Sequence, residues 1–386
     1  VVLGPYVLGW ATPGLIEVSD ELRLVALIVI LLRAGFEISK ETLNRVGGRV
    51  LLLATVPAIF EGVAVMLLGP GLLGLGLLDS AVLGAVLAAI SPAVVVPLMI
   101  RFMERGMGAE KGIPTMILAA APINDVFVIV VFGVLVGIYT GTSVNIAWQL
   151  AGIPISILLG LAAGWVIGIG LFRVFQRFNP RATKRVLVLL GLSVLLVRAE
   201  HLMQPWVPFA ALLAVVAIGF YLLEKDEHMA HELSAKLAKV WVLAEIVLFT
   251  MIGTQVNIEV AFKSGMAGAL LIGLGLVARG VGAYFSVLGS SLNRSERMFV
   301  VVASIPKATV QAAIGGVPLA AMAAAGIATG PGEVILAVAV LSIVLTAPLG
   351  AWVISAVGDR VLQVAPPQFH DARDAVLESH GGDDAL

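Results

Sequence analysis

Five charged residues interrupt long apolar segments of the chain, at Glu61, Asp125, Glu245, Arg279 and Lys307. In the middle of a membrane-spanning helix, a charged side chain costs roughly 2.5–3.5 kcal/mol. A charge kept at such a position therefore has to bind an ion, carry a proton or pair with an opposite charge. These five residues are the first candidates for function.

The acidic residue of greatest interest is Asp125, which lies in the segment AAAPINDVFVIVVFG. Asn124 precedes it, and Pro122 weakens the helix one turn earlier. Carboxylate and amide oxygens are ligands that hard cations prefer, and a carboxyl group can also carry a proton. The pattern predicts a site that binds a proton or a cation. The alternative is a protonated Asp125 that only donates a hydrogen bond to a neighbouring helix.

Glu61 and Arg279 carry opposite charges in two other apolar segments, VPAIFEGVAVM and GLVARGVGAYF. A buried pair of this kind is costly to desolvate and contributes little net stability. We interpret it as a structural ion pair that leaves Asp125 free. The competing interpretation is that Glu61 itself gains and loses a proton. For Glu245, in LAEIVLFTMIG, we expect a structural role.

Prolines interrupt two apolar segments, SPAVVVP beginning at Ser91 and Pro92, and SIPKATVQAAIGGVP around Pro306. A proline inside a helix removes an amide donor and frees a carbonyl group, and freed carbonyls can line an ion site. Lys307 is predicted to compensate the negative ends of the half-helices. The second motif also places Thr309 and Gln311 at mid-membrane depth. For SPAVVVP alone, an ordinary proline kink is the alternative.

The composition identifies the chain as an integral membrane protein. Of its 386 residues 60% are hydrophobic and 13% charged, with a mean hydropathy of +1.05. Since a spanning helix needs roughly 20 apolar residues, the apolar segments predict about twelve spans with an incomplete first one. They lie near residues 1–13, 22–37, 50–69, 80–100, 113–138, 148–172, 186–199, 204–223, 238–256, 266–288, 298–325 and 334–357.

The arrangement of the predicted spans suggests a transporter. Lys and Arg are concentrated in alternate loops, which predicts a cytoplasmic C-terminus. Residues 1–358 would form one transmembrane unit and residues 359–386 a short polar cytoplasmic tail. The spans that hold Pro92 and Pro306 cross in opposite directions, which is typical of inverted five-helix repeats.

Several other classes of function lack the residues that they need. The sequence has no cysteine and no Walker or dinucleotide motif, so we expect no thiol chemistry, ATP or other cofactor. Asp125 is the one Asp predicted in mid-span, and no His is, which argues against an intramembrane protease. His228 and His231 could bind a metal, but a solvated loop is the favoured interpretation.

Three motifs give the chain a resemblance to a known family: SPAVVVP, GAEKGIPTMILAAAPINDVFVIVVFG and SIPKATVQAAIGGVP. They resemble the monovalent cation–proton antiporter superfamily, and most closely the NHA exchangers (sodium/hydrogen exchanger subgroup B) and their bacterial relatives. LLRAGFEIS and GTQVNIEVAFKSG fit the same group. The likeness extends from Leu3 to about Pro348.

The resemblance implies an all-α NhaA-type fold with inverted five-helix repeats and two broken helices that cross in the membrane. Spans 3–5 and 10–12 would form a mobile core, and the others a panel and homodimer surface. Asp125 matches the ion-binding Asp, Asn124 the position before it, and Lys307 the Lys of the second broken helix. Glu61 and Arg279 match the acidic and basic partners of that group.

Two departures from the family pattern concern the ion site. Animal NHA exchangers have Asp-Asp where this chain has Asn124-Asp125, and Asn-Asp is typical of the electroneutral branch. Ser91 stands where electroneutral relatives often have Asp.

The predicted function is therefore the exchange of protons for Na⁺ or Li⁺, electroneutral and 1:1, by elevator-like alternating access at Asp125. Its expected setting is the bacterial inner membrane, with lipids and a second copy as partners, no nucleic acid, and pH homeostasis as its purpose. The alternatives are K⁺/H⁺ exchange and sodium-coupled symport of an organic anion. The second would need a wider polar cavity than these apolar spans offer.

Overall fold

The computed structural model describes Gly9, Gly14 and residues 19–38, 40–139, 146–203, 209–255 and 265–364. These residues form fourteen α-helices, as the sequence predicts for an all-α protein. The predicted span near residues 1–13, apart from Gly9, and the tail after Val364 lie outside the described residues. The helices are α1 Ser19–Gly35, α2 Lys40–Leu73, α3 Leu77–Leu87, α4 Pro92–Glu104, α5 Ile113–Tyr139, α6 Ile146–Phe178, α7 Ala182–Met203, α8 Ala211–Lys225, α9 Glu227–Gln255, α10 Gly265–Ser286, α11 Arg294–Ala303, α12 Thr309–Ile314, α13 Val317–Ala324 and α14 Gly330–Val361.

Six segments of the described chain are long and apolar enough to cross a membrane. Two shorter apolar helical segments, Leu24–Gly35 and Thr309–Ala324, accompany them. The full count of about twelve spans stays a prediction. The six segments are Val46–Leu73, Leu77–Glu104, Ile113–Ile138, Pro154–Phe178, Gly265–Ser286 and Gly330–Val361.

Within the described residues, two of the predicted spans are interrupted. The first interruption separates α3 from α4, where Ser91 is the N-cap of α4 and Pro92 its first residue. Proline suits that place because the first amides of a helix have no intrahelical acceptor. The second separates α11 from α12 and contains Pro306 and Lys307. We call these interruptions the first break (residues 88–91) and the second break (residues 304–308).

The span predicted at residues 298–325 contains one more interruption than the sequence analysis expected. Helix α12 ends at Ile314, and α13 begins at Val317 with a proline in its first turn. Because Pro318 has no amide hydrogen, it cannot continue the hydrogen bonds of α12. The half-helix after the second break is therefore two short helices.

Helices α2 and α10 pack closely because α10 has glycine on the contact face. A Cβ atom added at Gly282 would lie 2.9 Å from Pro57 Cα, and one at Gly275 would lie 3.2 Å from Val65 Cγ2. Arg279 lies between these glycines on the same helical face. The close approach brings its side chain to Glu61 on α2.

A second group of helices, α1 and α6 to α9, also packs through small residues. A Cβ atom at Gly164 of α6 would lie 2.4 Å from the Ala214 carbonyl oxygen of α8. Helix α1 packs against α8 and α9. An ion pair between Arg33 of α1 and Glu104 of α4 joins this group to the remaining helices. We refer to α2–α5 and α10–α14 as the core helices and to α1 and α6–α9 as the scaffold helices.

The helix that contains Glu245 starts earlier than predicted. Its hydrophobic part begins near residue 238, but α9 begins at Glu227, and the Asp226 carboxylate accepts a hydrogen bond from the Met229 amide, 2.9 Å away. Such a capping bond stabilises a polar first turn that hydropathy alone does not indicate. His228 and His231 therefore lie on a helix and not in a loop.

Candidate ion site

Asn124 and Asp125 lie side by side on α5 but have different surroundings. Asn124 is fully buried and bound at both ends, because its Oδ1 accepts from the Ile90 amide at 2.8 Å and its Nδ2 donates to the Ala54 carbonyl at 2.7 Å. Asp125 remains 6% exposed, and its Oδ1 has no hydrogen-bond partner among the described residues. The amide is thus occupied by the backbone, whereas the carboxylate is available to an ion.

The two breaks are in direct contact. The Ser91 amide donates a hydrogen bond to the Pro306 carbonyl oxygen, 2.9 Å away. The Lys307 amide donates to Thr346 Oγ1 of α14 at 2.9 Å. Since an unpaired backbone group is costly in an apolar interior, these bonds stabilise irregular backbone at this depth.

Glu61 lies at the centre of a buried cluster of three charges. Its Oε2 accepts from Arg279 Nη1 at 2.6 Å and from Lys307 Nζ at 2.8 Å. The exposed fractions of the three side chains are 1% or less. The sequence-derived pair of Glu61 and Arg279 is present, but Lys307 is a third member, so the pair is not isolated.

Arg279 also contacts the ends of two half-helices. Its Nη1 donates to the Ala88 carbonyl at 2.7 Å, and its Nε donates to the Ser304 carbonyl. Ala88 and Ser304 are the C-caps of α3 and α11, where the helix dipole favours a cation. From the sequence, Lys307 was predicted in this role, and its Nζ contacts the Ala89 carbonyl at 3.5 Å. The guanidinium is the better fit because its planar fork offers five donors.

Further oxygen atoms on these elements have no hydrogen-bond partner within the described part of the chain. Thr309 is the first residue of α12, and Gln311 lies two residues further on. Hydroxyl, amide and carboxylate oxygens form the donor set that hard monovalent and divalent cations prefer. The buried atoms without a partner include Asp125 Oδ1, Glu61 Oε1, Ser91 Oγ, Thr309 Oγ1 and Gln311 Oε1.

The remaining candidates from the sequence lie elsewhere. Glu245 is half-buried on the scaffold helix α9. His231 Nε2 lies 3.3 Å from Glu227 Oε1 on the exposed face of the same helix. Among the described residues no group of three or more His, Cys, Asp or Glu side chains could hold a metal ion.

Three features of the site were missed by sequence reasoning: the double contact of Arg279 with the half-helix ends, the hydrogen bonds from the Asn124 side chain to backbone groups, and the contact of Lys307 with Glu61. A signal for the first was the pair of glycines, Gly275 and Gly282, that flank Arg279 at helical spacing. For the second the sequence offered no signal, because it does not show which backbone groups lie opposite Asn124.

The family description "Sodium/hydrogen exchanger, transmembrane" matches residues 1–358. The human protein Sodium/hydrogen exchanger 9B2 is 33% identical over 358 residues, which cover 92% of this chain and 66% of that protein. Mouse Sodium/hydrogen exchanger 9B1 is 30% identical over 365 residues, covering 91% and 62%. The chain thus spans slightly less than two thirds of the length of these relatives.

A solved structure shares the fold. The sodium proton antiporter MjNhaP1 from Methanocaldococcus jannaschii aligns with a TM-score of 0.74 at 20% identity, covering 93% of this chain and 90% of that one. The family match and the 9B relatives confirm the resemblance to the monovalent cation–proton antiporter superfamily. The chain belongs to the sodium/hydrogen exchanger family and is a multi-pass membrane protein.

Proposed function

We propose that this transporter exchanges protons for Na⁺ or Li⁺ and that Asp125 carries either one. The observation that carries the proposal is the contrast within the Asn124-Asp125 pair, since only the Asp carboxylate has an oxygen left free by the described residues. The names of the 9B relatives and of MjNhaP1 support Na⁺ and H⁺ as the exchanged ions.

Coupling follows from exclusive occupancy of one carboxylate. A proton and a monovalent cation each neutralise Asp125, whereas the empty carboxylate leaves a buried charge. Without a bound ion, the Oδ1 atom of an ionised Asp125 has no partner among the described residues, so carrying the empty carboxylate through an apolar barrier is costly and the empty site is retained on one side. Net exchange then requires that one ion enters after the other has left.

The cluster around Glu61 supports an electroneutral 1:1 exchange. When Glu61, Arg279, Lys307 and Asp125 are all ionised, their charges sum to zero. Binding one proton or one monovalent cation adds the same single positive charge. A guanidinium group keeps its proton throughout the physiological pH range, and the amide of Asn124 has no proton to exchange in this range. The two loaded forms therefore carry equal charge across the membrane.

We propose that the core helices move against the scaffold helices in an elevator-like cycle. The two broken helices would cross in the core, related by inverted repeats, and the scaffold would form the homodimer and panel surface. Support comes from the packing of α2 on α10 and of α6 on α8. From the Lys and Arg distribution we propose a cytoplasmic C-terminus.

The decisive experiment is exchange by purified protein in proteoliposomes, with proton flux driven in turn by Li⁺, Na⁺ and K⁺ gradients. The wild type is expected to respond to Na⁺ and Li⁺, and Asp125→Asn to fall to the level of empty liposomes while its thermal unfolding stays cooperative. A response to K⁺ alone would instead support the K⁺/H⁺ alternative. Substantial Na⁺-driven flux through folded Asp125→Asn would refute the single-carrier proposal.

Stoichiometry is tested by clamping the membrane voltage with potassium and valinomycin during Na⁺-driven flux. Each net charge moved would contribute about 2.3 kcal/mol per 100 mV, so an electroneutral cycle leaves the rate nearly constant. A strong voltage dependence would reveal a second titrating group, with Lys307 and Glu61 the first to examine.

A further inference from the structure

The peptide group between Ala89 and Ile90, in the first break, is held at both of its polar atoms. Its carbonyl oxygen accepts from Gln311 Nε2 at 3.1 Å and from Lys307 Nζ at 3.5 Å. Its amide donates to Asn124 Oδ1 at 2.8 Å. Side chains from α5 and from the second break and α12 therefore fix the orientation of one peptide plane.

Gln311 also contacts the last turn of α3, directly before the first break. Its Nε2 also donates to the Val86 carbonyl at 3.1 Å, near the end of α3, where the last carbonyl groups have no intrahelical donor. Two carbonyl oxygens at this distance determine which end of the carboxamide faces them, because only its nitrogen can donate. The side chain is 1% exposed, so water does not replace these bonds.

We propose that Gln311 is a positioning residue for ion exchange at Asp125. It acts through the Ala89–Ile90 peptide on Asn124, and thereby on the orientation of the carboxylate that follows Asn124 in α5. The inference rests on the proposed function, in which Asp125 carries the ion. Without the amide donors of Gln311 the peptide plane can rotate, and the Ile90 amide no longer holds Asn124 Oδ1 in one position.

Gln311→Met tests the inference because it keeps the length of the side chain and removes both donors. The exchange rate per folded protein is expected to fall about tenfold or more, since small misplacements of reacting groups cost one to two orders of magnitude. The matched control is Ser286→Ala. Ser286 Oγ also contacts two carbonyl oxygens in the core, those of Gly282 at 2.8 Å and Leu52 at 3.2 Å, but neither belongs to a break.

Gln311→Glu adds a readout that a purely structural role does not produce. A protonated carboxyl group has one O–H donor, and a carboxylate has none. Because burial favours the neutral form of a carboxyl group, the ratio of the Gln311→Glu rate to the Gln311→Met rate should rise as the pH falls from about 8 to about 6. A constant ratio, or equal rate losses in Gln311→Met and Ser286→Ala, overturns the inference.

Hydrogen–deuterium exchange separates this inference from the proposed function. The Ile90 amide should lose protection in Gln311→Met and keep it in Ser286→Ala; unchanged protection in both overturns the inference even if no ion is transported. If the wild type fails to exchange cations, only the proposed function fails. Should Gln311→Met not fold, the titration of Gln311→Glu against the wild type decides alone, and a rate ratio independent of pH refutes the inference.

Discussion

The core and scaffold helices both contain close glycine contacts, but the core adds a cluster of buried charges. In the scaffold, α6 and α8 contact each other through glycine and alanine, with backbone against backbone at Gly164 and Ala214. In the core, Glu61 and Arg279 of the continuous helices α2 and α10 form an ion cluster with Lys307 of the second break. Arg279 also donates to the carbonyl groups that end the interrupted helices α3 and α11. Continuous helices satisfy their own backbone groups and need only close packing, whereas broken helices need donors and acceptors from elsewhere.

The difference implies that replacing a side chain in the core should lower stability or transport far more than a matched replacement in the scaffold. Three predictions test it, beginning with the largest expected effect.

Neutralising Glu61 is expected to be the most damaging change. In Glu61→Gln, Arg279 and Lys307 remain fully buried without a counter-charge, and breaking such a cluster typically costs about 3–5 kcal/mol of unfolding free energy. The scaffold control, Ser193→Ala, removes a buried hydroxyl that donates to the Leu189 carbonyl and should cost about 1 kcal/mol. Thermal unfolding in matched detergent or bilayer conditions measures both.

A double variant sharpens the test of the charge cluster. Adding Lys307→Met to Glu61→Gln removes one of the two uncompensated cations, so it should recover much of the lost stability, although the double variant should not exchange ions. A double variant as unstable as the sum of the two single variants would contradict the shared cluster.

Equivalent glycine substitutions in the two regions should differ in their effect on transport. A Cβ atom at Gly164 would lie 2.4 Å from the Ala214 carbonyl, and one at Gly350 of α14 would lie 2.7 Å from Pro306 Cγ in the second break. Overpacking of this kind costs about 1–3 kcal/mol. We expect Gly164→Ala to lower stability with little change in the rate per folded protein, and Gly350→Ala to lower that rate as well. Equal rates in the two variants would remove the functional distinction between the regions.

The smallest effect is expected at the ion pair of Arg33 and Glu104, which joins the scaffold to the core. If these regions move against each other, the pair has to break in each cycle, so Arg33→Gln should change the apparent cation affinity about threefold to tenfold. The control is Arg105→Gln, because Arg105 pairs with Asp359 at 2.6 Å within the core. Flux assays from both membrane faces measure the change.

The charge-swapped variant Arg33→Glu with Glu104→Arg should restore the wild-type affinity. If Arg105→Gln has the same effect as Arg33→Gln, surface charge and not a moving contact is responsible.

The positions of several membrane helices could be predicted because apolar length and isolated charges are local signals. The predicted spans at residues 50–69, 113–138 and 266–288 fall within α2, α5 and, to within two residues at its end, α10. The Glu61–Arg279 contact was predicted because a charged side chain inside the membrane needs a partner of opposite charge.

The parts that sequence did not predict depend on which backbone atoms face one another. Gln311 and Asn124 hold opposite ends of the Ala89–Ile90 peptide, and Lys307 joins Glu61. A sequence shows that a proline frees a carbonyl group but not which side chain then reaches it. The early start of α9 at Glu227 depended on a capping bond from Asp226, which hydropathy does not detect.

The position of Glu61 in the chain has a consequence for biosynthesis. Its partners Arg279 and Lys307 follow it by 218 and 246 residues. At about 5–20 residues per second, the ribosome needs roughly 10–50 s to reach them. During that interval α2 has entered the membrane with a carboxyl group that lacks its native partners. Neutralisation of this group by late-arriving segments is therefore a closing step of assembly, and truncation before α10 leaves an early helix that is expensive to retain in the bilayer.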